Sequence, residues 1–154
     1  KYIVRRTNLW EVIFETRKEK NPCSLCAKMR RGLLHDTAVA NGCNKVALGH
    51  HMDDAAETFL MNLLNGGKIG CFSPVSYLSN KKLYLIRPLI FAYEKDVAAA
   101  ARRANLPVVK SRCPMDKVSN RQNMKDLLRS LEKDYPAVRK KIVGALERSH
   151  IDSW

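Results

Sequence analysis

The alternation of apolar and polar positions divides the chain into short strands and longer helices. Tyr2-Ile3-Val4 reads as a short strand. Leu9 to Arg17 reads as an amphipathic helix with Leu9, Val12, Ile13 and Thr16 along one side. Asn21-Pro22 interrupts it, because Pro22 drives Asn21 toward an extended conformation. A second helix is predicted from Cys23 to Ala40, with Leu25, Met29, Leu33 and Val39 or Ala40 as its apolar stripe and Asn41-Gly42 as its stop. Lys45 to Leu48 has the short apolar run of a buried strand. Gly49 then leads into a third helix, His51 to Asn65, buried through Met52, Ala56, Phe59, Leu60, Leu63 and Leu64.

A looser stretch, Gly66 to Lys82, precedes a strand at Leu83 to Ile86 and an alanine-rich helix from Tyr93 to Ala104. Gly66-Gly67-Lys68 follows a helix rather than opening one, so it reads as a C-cap and not as a phosphate loop. Val108-Val109 reads as a last strand, and helices over Asn120 to Lys133 and Pro136 to Ser149 complete the chain. Strands alternating with helices of this length predict an α/β fold with a mostly parallel sheet flanked by helices. At 154 residues the expectation is a single domain, 1–154, in which 119–150 forms a basic helical C-terminal extension.

Charge changes the picture. Lys and Arg number 28 against 15 Asp and Glu, a formal net charge of +13, and the last two helices hold much of the excess. Such a balance favours a polyanion, with nucleic acid first, through counterion release. No apolar run approaches the roughly 20 residues of a membrane span, and no signal-peptide pattern is present. The compartment expected is therefore the cytoplasm, with no membrane partner. Five cysteines at uneven spacing do not make a disulfide framework, so metal or catalytic use is the better expectation.

Two places carry candidate chemistry. The first is VALGHHMDDAAET, Val46 to Thr58, where a predicted strand becomes a helix. Ligands of open parallel sheets bind beyond the carboxyl ends of the strands, and Gly49, His50, His51, Asp53 and Asp54 fall there. Asp53 and Glu57 share one helix face at i,i+4, and His50 and Asp54 the neighbouring one. Carboxylates in a first turn are favoured by the helix dipole alone, but that does not require a run this rich. An acidic cluster repels bare phosphate, so a nucleotide here is expected to bring a bridging Mg²⁺ or to present its base and ribose.

The second place is NPCSLCAKMRRG, where Cys23 and Cys26 run into a basic helix. A thiol-redox pair normally follows the first strand of its fold, whereas this pair follows a helix and a proline break. Zinc wants four ligands, and no second C-x-x-C completes the set. An iron–sulfur cluster is the remaining metal option, with Cys113 of SRCPMD as either the third thiolate or an ordinary loop thiol. Cys43 and Cys71 read as small buried hydrophobes.

Taken together, CSLCAKMRRGLL, LGHHMDDAAETFLMNLLNGGK, IRPL and CPMDKVSNRQNMKDLLRSLEKDYP resemble the tRNA 2-thiocytidine synthetase family of PP-loop ATPases, from about Pro22 to Ser149. The resemblance implies an adenine-nucleotide α-hydrolase-like (Rossmann-like) fold, and a 4Fe-4S cluster held by Cys23, Cys26 and Cys113. It also implies a tRNA substrate whose cytidine is adenylated by ATP at the C2 oxygen, after which sulfur carried on the open iron displaces AMP. By the same carry-over Asp54 is a catalytic aspartate, Gly49, His50 and Asp53 are nucleotide-site residues, and Arg30 stands where related thiolases place a catalytic lysine. A sulfur donor protein or sulfide, Mg²⁺ and a homodimer belong to the same expectation. The family's pyrophosphate loop lies upstream of every motif present, so the chain is expected to be an N-terminally truncated, downstream part that binds ATP weakly and is inactive alone. The competing expectation is a non-catalytic basic RNA-binding module, with or without zinc.

Overall fold

The computed structural model describes residues 2–18, 20–115 and 120–154, which fall into two compact units, 1–44 and 45–154.

The first unit holds a short π-helical segment, Glu11–Thr16, and helix α1, Pro22–Ala40. The π turn closes with the Arg17 N–H donating to the Val12 carbonyl at 2.9 Å, and it buries Ile13. Asn21 caps α1: its side chain accepts from the Ser24 N–H at 3.3 Å, and Pro22 occupies the first turn, where a missing N–H costs nothing. The stop at Asn41-Gly42 is present. Gly42 adopts φ +71°, and the Cys43 N–H reaches back to the Ala38 carbonyl at 3.0 Å. Of the α1 side chains His35 is buried, whereas the predicted stripe of Leu25, Met29 and Leu33 is half-buried and Val39 exposed. Tyr2 to Val4 forms no strand: its side chains are exposed and its backbone has no ladder partner.

The second unit is built on a three-stranded sheet ordered β1-β3-β2, comprising β1 Lys45–Ala47, β2 Val75–Leu78 and β3 Leu83–Ile86. β1 runs parallel to β3, pairing Val46 with Leu85, and β2 runs antiparallel to β3, pairing Tyr77 with Tyr84. The sheet is thus mixed rather than mostly parallel. The antiparallel member, β2, lies in the stretch whose pattern reads as loose, and Val108-Val109 is exposed coil rather than a strand. β3 shows the alternation of a half-buried strand, with Leu83 and Leu85 inward and Tyr84 outward.

Helix α2, Met52–Gly66, is the central element. Ala55 and Ala56 are both completely buried, and their small size lets two helices approach. On the Ala55 side, Met52, Cys71 and Ile90 pack with Val143 and Leu146 of α5, Val138–Ser149. On the Ala56 side, Leu60 packs with Met124 and Leu128 of α4, Asn120–Asp134. The basic C-terminal helices therefore build the core of this unit. Helix α3, Glu94–Arg103, follows β3 through the Arg87–Tyr93 turn. Gly67 ends α2 at φ +57° and the Lys68 N–H bonds to the Asn62 carbonyl at 2.9 Å, which makes the Gly-Gly-Lys segment a helix stop.

Candidate functional site

Beyond Ala47 the chain leaves the sheet with one more ladder bond, Leu48 N–H to the Ile86 carbonyl at 2.9 Å. Gly49, exposed, and His50 then stand past the carboxyl ends of the parallel pair β1 and β3, where such sheets bind ligands. His51 is the N-cap of α2 and forms a capping box with Asp54. The Asp54 N–H donates to His51 Nδ1 at 3.4 Å, and the His51 N–H donates to Asp54 Oδ2 at 3.0 Å.

His50 packs on Phe72 with ring centroids 4.8 Å apart, and its Nδ1 accepts from Arg87 Nε at 3.3 Å. Burial lowers its pKa, against the opposing pull of Asp54, and the neighbouring Arg87 and Arg121 add to the depression. The ring is thus neutral with its proton on Nε2, the tautomer that offers a donor away from Arg87. Arg87 is fixed on three sides. It lies 4.7 Å over Phe72 and its Nη1 donates to the Ser73 carbonyl as well.

The three carboxylates of the turn have different surroundings. Asp53 is buried. Its Oδ2 accepts the Glu94 N–H at 2.7 Å, and its Oδ1 forms an ion pair with Arg139 Nε at 2.9 Å. It therefore caps α3 from a distance and ties α2 to α5. Asp54, half-buried, pairs through Oδ1 with Arg121 Nη1 at 2.8 Å. Glu57 is buried, 3.4 Å from the same nitrogen, while Arg121 Nη2 donates to Thr58 Oγ1 at 3.3 Å. Burial pushes the Glu57 carboxyl up to about 7, even though Arg121 pulls it down. The sequence pairing of Asp53 with Glu57 thus does not describe the site: Asp54 and Glu57 share Arg121, and Asp53 turns toward α3 and α5. Glu94 is held by Lys125 Nζ at 2.6 and 2.8 Å, and that bond lowers its pKa.

Arg87, Arg121 and Arg139 are the site residues that pattern reading missed. The signal existed, since three carboxylates within five positions of one helix need cations, and the late helices are rich in them. Beside His51 a depression of about 390 Å³ opens along α3, lined by Glu94, Val97, Ala98, Ala101 and Arg102 among others, with a mainly apolar wall.

The thiols are distributed over both units. Cys23 is exposed and Cys26 half-buried in the first two turns of α1, and Arg30 is exposed one turn further on. Cys113 is exposed in the second unit, its N–H donating to Ser111 Oγ at 3.2 Å. Positions 116–119 of the motif that follows lie outside the described residues. Among the described residues, no three His, Cys, Asp or Glu side chains converge as a metal site. Cys71 is a buried hydrophobe as expected, its thiol pushed up to about 12 by burial. Cys43 is exposed instead, in the turn between the α1 stop and β1, a strand in which only Val46 is buried.

A nucleotide-type sheet with its site at the strand ends defines a Rossmann-like α/β class, and comparison with known proteins gives the family. The PP-loop domain family matches residues 12–131, and the chain belongs to it. The chain is 38% identical over 152 residues to a tRNA-cytidine(32) 2-sulfurtransferase of Citrifermentans bemidjiense, covering 97% of this chain and 60% of that protein. It is 40% identical over 146 residues to the protein of the same name from Syntrophotalea carbinolica, covering 93% and 56%. The chain thus spans less than two thirds of the length of these relatives. Among solved structures, the U34-tRNA thiolase NcsA from Methanococcus maripaludis, determined with its [4Fe-4S] cluster, superimposes with a TM-score of 0.71 at 30% identity, covering 87% of this chain and 45% of that one. No helix among the described residues is long and apolar enough to cross a membrane.

Proposed function

We propose that this chain is the downstream part of an ATP-dependent tRNA sulfurtransferase that forms 2-thiocytidine. The observation that carries the reading is the reach of the similarity to tRNA-cytidine(32) 2-sulfurtransferases. At 97% of the chain, it includes both the Cys23–Cys26 helix and the His50–Asp54 turn. In the proposed reaction the C2 oxygen of the cytidine attacks the α-phosphorus of ATP, forming the adenylate as the bond to the β-phosphate breaks and pyrophosphate leaves. A sulfur nucleophile then forms the C2–S bond as the C2–O bond breaks and AMP leaves.

The residues present fit that chemistry in part. Cys23, Cys26 and Cys113 are free thiols outside the packed core, a soft donor set suited to iron and sulfide, and would hold the cluster. When bound, a cluster with three protein thiolates supplies one iron open to an exogenous ligand. His50 offers its Nε2 proton to the nucleotide, and the Arg87 bond keeps the ring in that tautomer. Asp54 presents a carboxylate clamped by Arg121 and the His51 N–H, oriented at the edge of the site. Arg30 supplies a permanent cation for an activated, anionic intermediate. The residues do not fit a dedicated Mg²⁺ cage, because the oxygens of Asp53 and Asp54 are taken by arginines and backbone N–H groups. We assign Mg²⁺ to the phosphates of ATP. A sulfur donor protein or sulfide, a cytoplasmic setting and a homodimer complete the proposal.

Anaerobic reconstitution with iron and sulfide, followed by absorbance and iron counting, tests the cluster. Cys23→Ala, Cys26→Ala and Cys113→Ala should each abolish loading, and Cys43→Ala should not. Loading indifferent to the first three would sink the ligand assignment. In cells lacking 2-thiocytidine, an intact sulfurtransferase that contains this chain as its downstream part should restore the thionucleoside, and its Asp54→Ala variant should not. Restoration by the variant would favour a non-catalytic RNA-binding module.

A further inference from the structure

The outward face of the sheet is left without a task by the site described above. Register places Lys45, Tyr84 and Tyr77 in one row across β1, β3 and β2. The two tyrosine rings stand 4.7 Å apart, and Tyr77 and Tyr84 are 53% and 44% exposed, so this pair lies on the surface rather than in a core. Val75, in the next row, is exposed too. A cross-strand aromatic pair contributes to sheet stability, but that role is met equally by partly covered aliphatic residues. Two bare rings side by side on a strand surface are a stacking platform.

The charged residues carried by β1, β2, β3 and the β2–β3 turn are all lysines. Lys45 flanks Tyr84, and Lys82 is exposed at the tip of the β2–β3 turn, in the left-handed conformation at φ 49°. No Asp or Glu occurs anywhere between Glu57 and Glu94, a stretch that contains the whole of β2 and β3. An aromatic pair bordered by lysines, on strands that carry no carboxylate of their own, matches the chemistry of unpaired nucleotides: bases stack on the rings, and phosphates meet the lysines.

We infer that the outward face of β2 and β3, centred on Tyr77 and Tyr84, is an RNA-binding platform for unpaired nucleotides of the substrate RNA. It rests on the tRNA reading only for the identity of that RNA, since the stacking chemistry accepts any single-stranded loop. The face would hold loop nucleotides away from the reacting base, so it sets affinity and orientation and not the chemistry.

The test uses the intact protein that contains this chain, a fluorescein-labelled anticodon stem-loop, and a blunt duplex made of its stem. Tyr77→Ala and Tyr84→Ala should each weaken stem-loop binding roughly 10-fold and leave duplex binding unchanged. Tyr77→Phe and Tyr84→Phe, which keep the ring, should bind as wild type does. Lys45→Ala should weaken both RNAs and lower the slope of log affinity against log salt by about one. Circular dichroism checks the fold. If an alanine variant unfolds, leucine at the same position replaces it, retaining apolar cover without a flat ring. Stem-loop affinity unchanged in both tyrosine variants, with wild type binding, overturns the platform and leaves the tRNA reading intact. Failure of wild type to bind the stem-loop overturns both. A dimer in sedimentation velocity that Tyr84→Ala dissolves, with RNA affinity untouched, assigns the face to a second copy and overturns the proposal.

Discussion

Replacing Asp53 with alanine separates an architectural role from a ligand-binding one. Its side chain is only 12% exposed, as is that of Arg139, its ion-pair partner at 2.9 Å. Its other oxygen takes the first N–H of α3, at 2.7 Å, where the N-cap Tyr93 provides no side-chain acceptor. A hydrogen bond to a charged group contributes about 1.5–3 kcal/mol, and stranding one member of a buried pair costs about 3–5 kcal/mol. Arg139 retains Glu132 as a second partner, so the second figure applies only in part. The two effects together predict a loss of about 3 kcal/mol. At a urea slope of roughly 1–3 kcal/mol per molar, the midpoint should fall by roughly 1–3 M. Asp53→Asn keeps an acceptor for the Glu94 N–H and should lose less. In a double-mutant cycle, Asp53→Ala and Arg139→Ala should be strongly non-additive. The measurement is urea unfolding followed by far-UV circular dichroism, with nucleotide binding measured in parallel. An Asp53→Ala protein within about 0.5 kcal/mol of wild type, yet deficient in nucleotide binding, would falsify the anchoring role and restore Asp53 to the ligand site.

Glu57 gives a pH prediction. Its folded carboxyl titrates near 7 against an ordinary 4.5, so the folded state holds the extra proton across that window. Stability from this group is complete below 4.5 and is lost as pH rises through 7, by about 3 kcal/mol. Glu57→Gln should remove that slope and be the more stable protein at pH 8, as read from urea midpoints across the range. His50 contributes the opposite slope, since a lowered histidine pKa adds stability above its ordinary value, so the comparison between variant and wild type isolates Glu57. Arg121→Ala leaves Glu57 buried without its cation and frees Asp54. Discounted for the 43% exposure of its side chain, the loss should be about 1–2 kcal/mol in thermal unfolding. Gly67→Ala forces a Cβ into the left-handed stop of α2 and should cost about 1 kcal/mol with no effect on iron loading.

What the sequence made legible follows from where burial decides the residue. Helix α2 was readable in extent and in part of its face: Met52, Ala56 and Leu60 repeat at helical spacing and are buried, whereas Leu63 and Leu64, expected inside, are exposed at its C-terminal end. β3 was readable for the same reason at period two. β2 was not, since Val75 and Tyr77 face outward and little on its inner side is buried enough to mark a strand. The opposite error came at Tyr2–Val4 and Val108–Val109, where strand-prone side chains have no neighbour to pair with and remain exposed coil. The site divides along the same line. Local order put His50, His51, Asp53 and Asp54 at the strand end, because a strand-to-helix turn is a local feature. It could not assign their tasks, because those are set by residues up to 86 positions away: Arg87 for His50, Arg121 for Asp54 and Glu57, and Arg139 for Asp53. Distant arginines turn one acidic run into three chemically distinct carboxylates, one an anchor, one clamped at the site edge and one with a proton near neutrality. That partition accounts for part of the charge on the C-terminal helices. Arg121, Lys125 and Arg139 pair with carboxylates beside the strand end, whereas Arg129, Lys133, Lys140, Lys141 and Arg148 remain exposed, so charge open to phosphate lies on these helices as well as elsewhere on the surface. The acid-free segment between Glu57 and Glu94, with Lys82 exposed beside the tyrosine pair, is where such charge meets stacking chemistry.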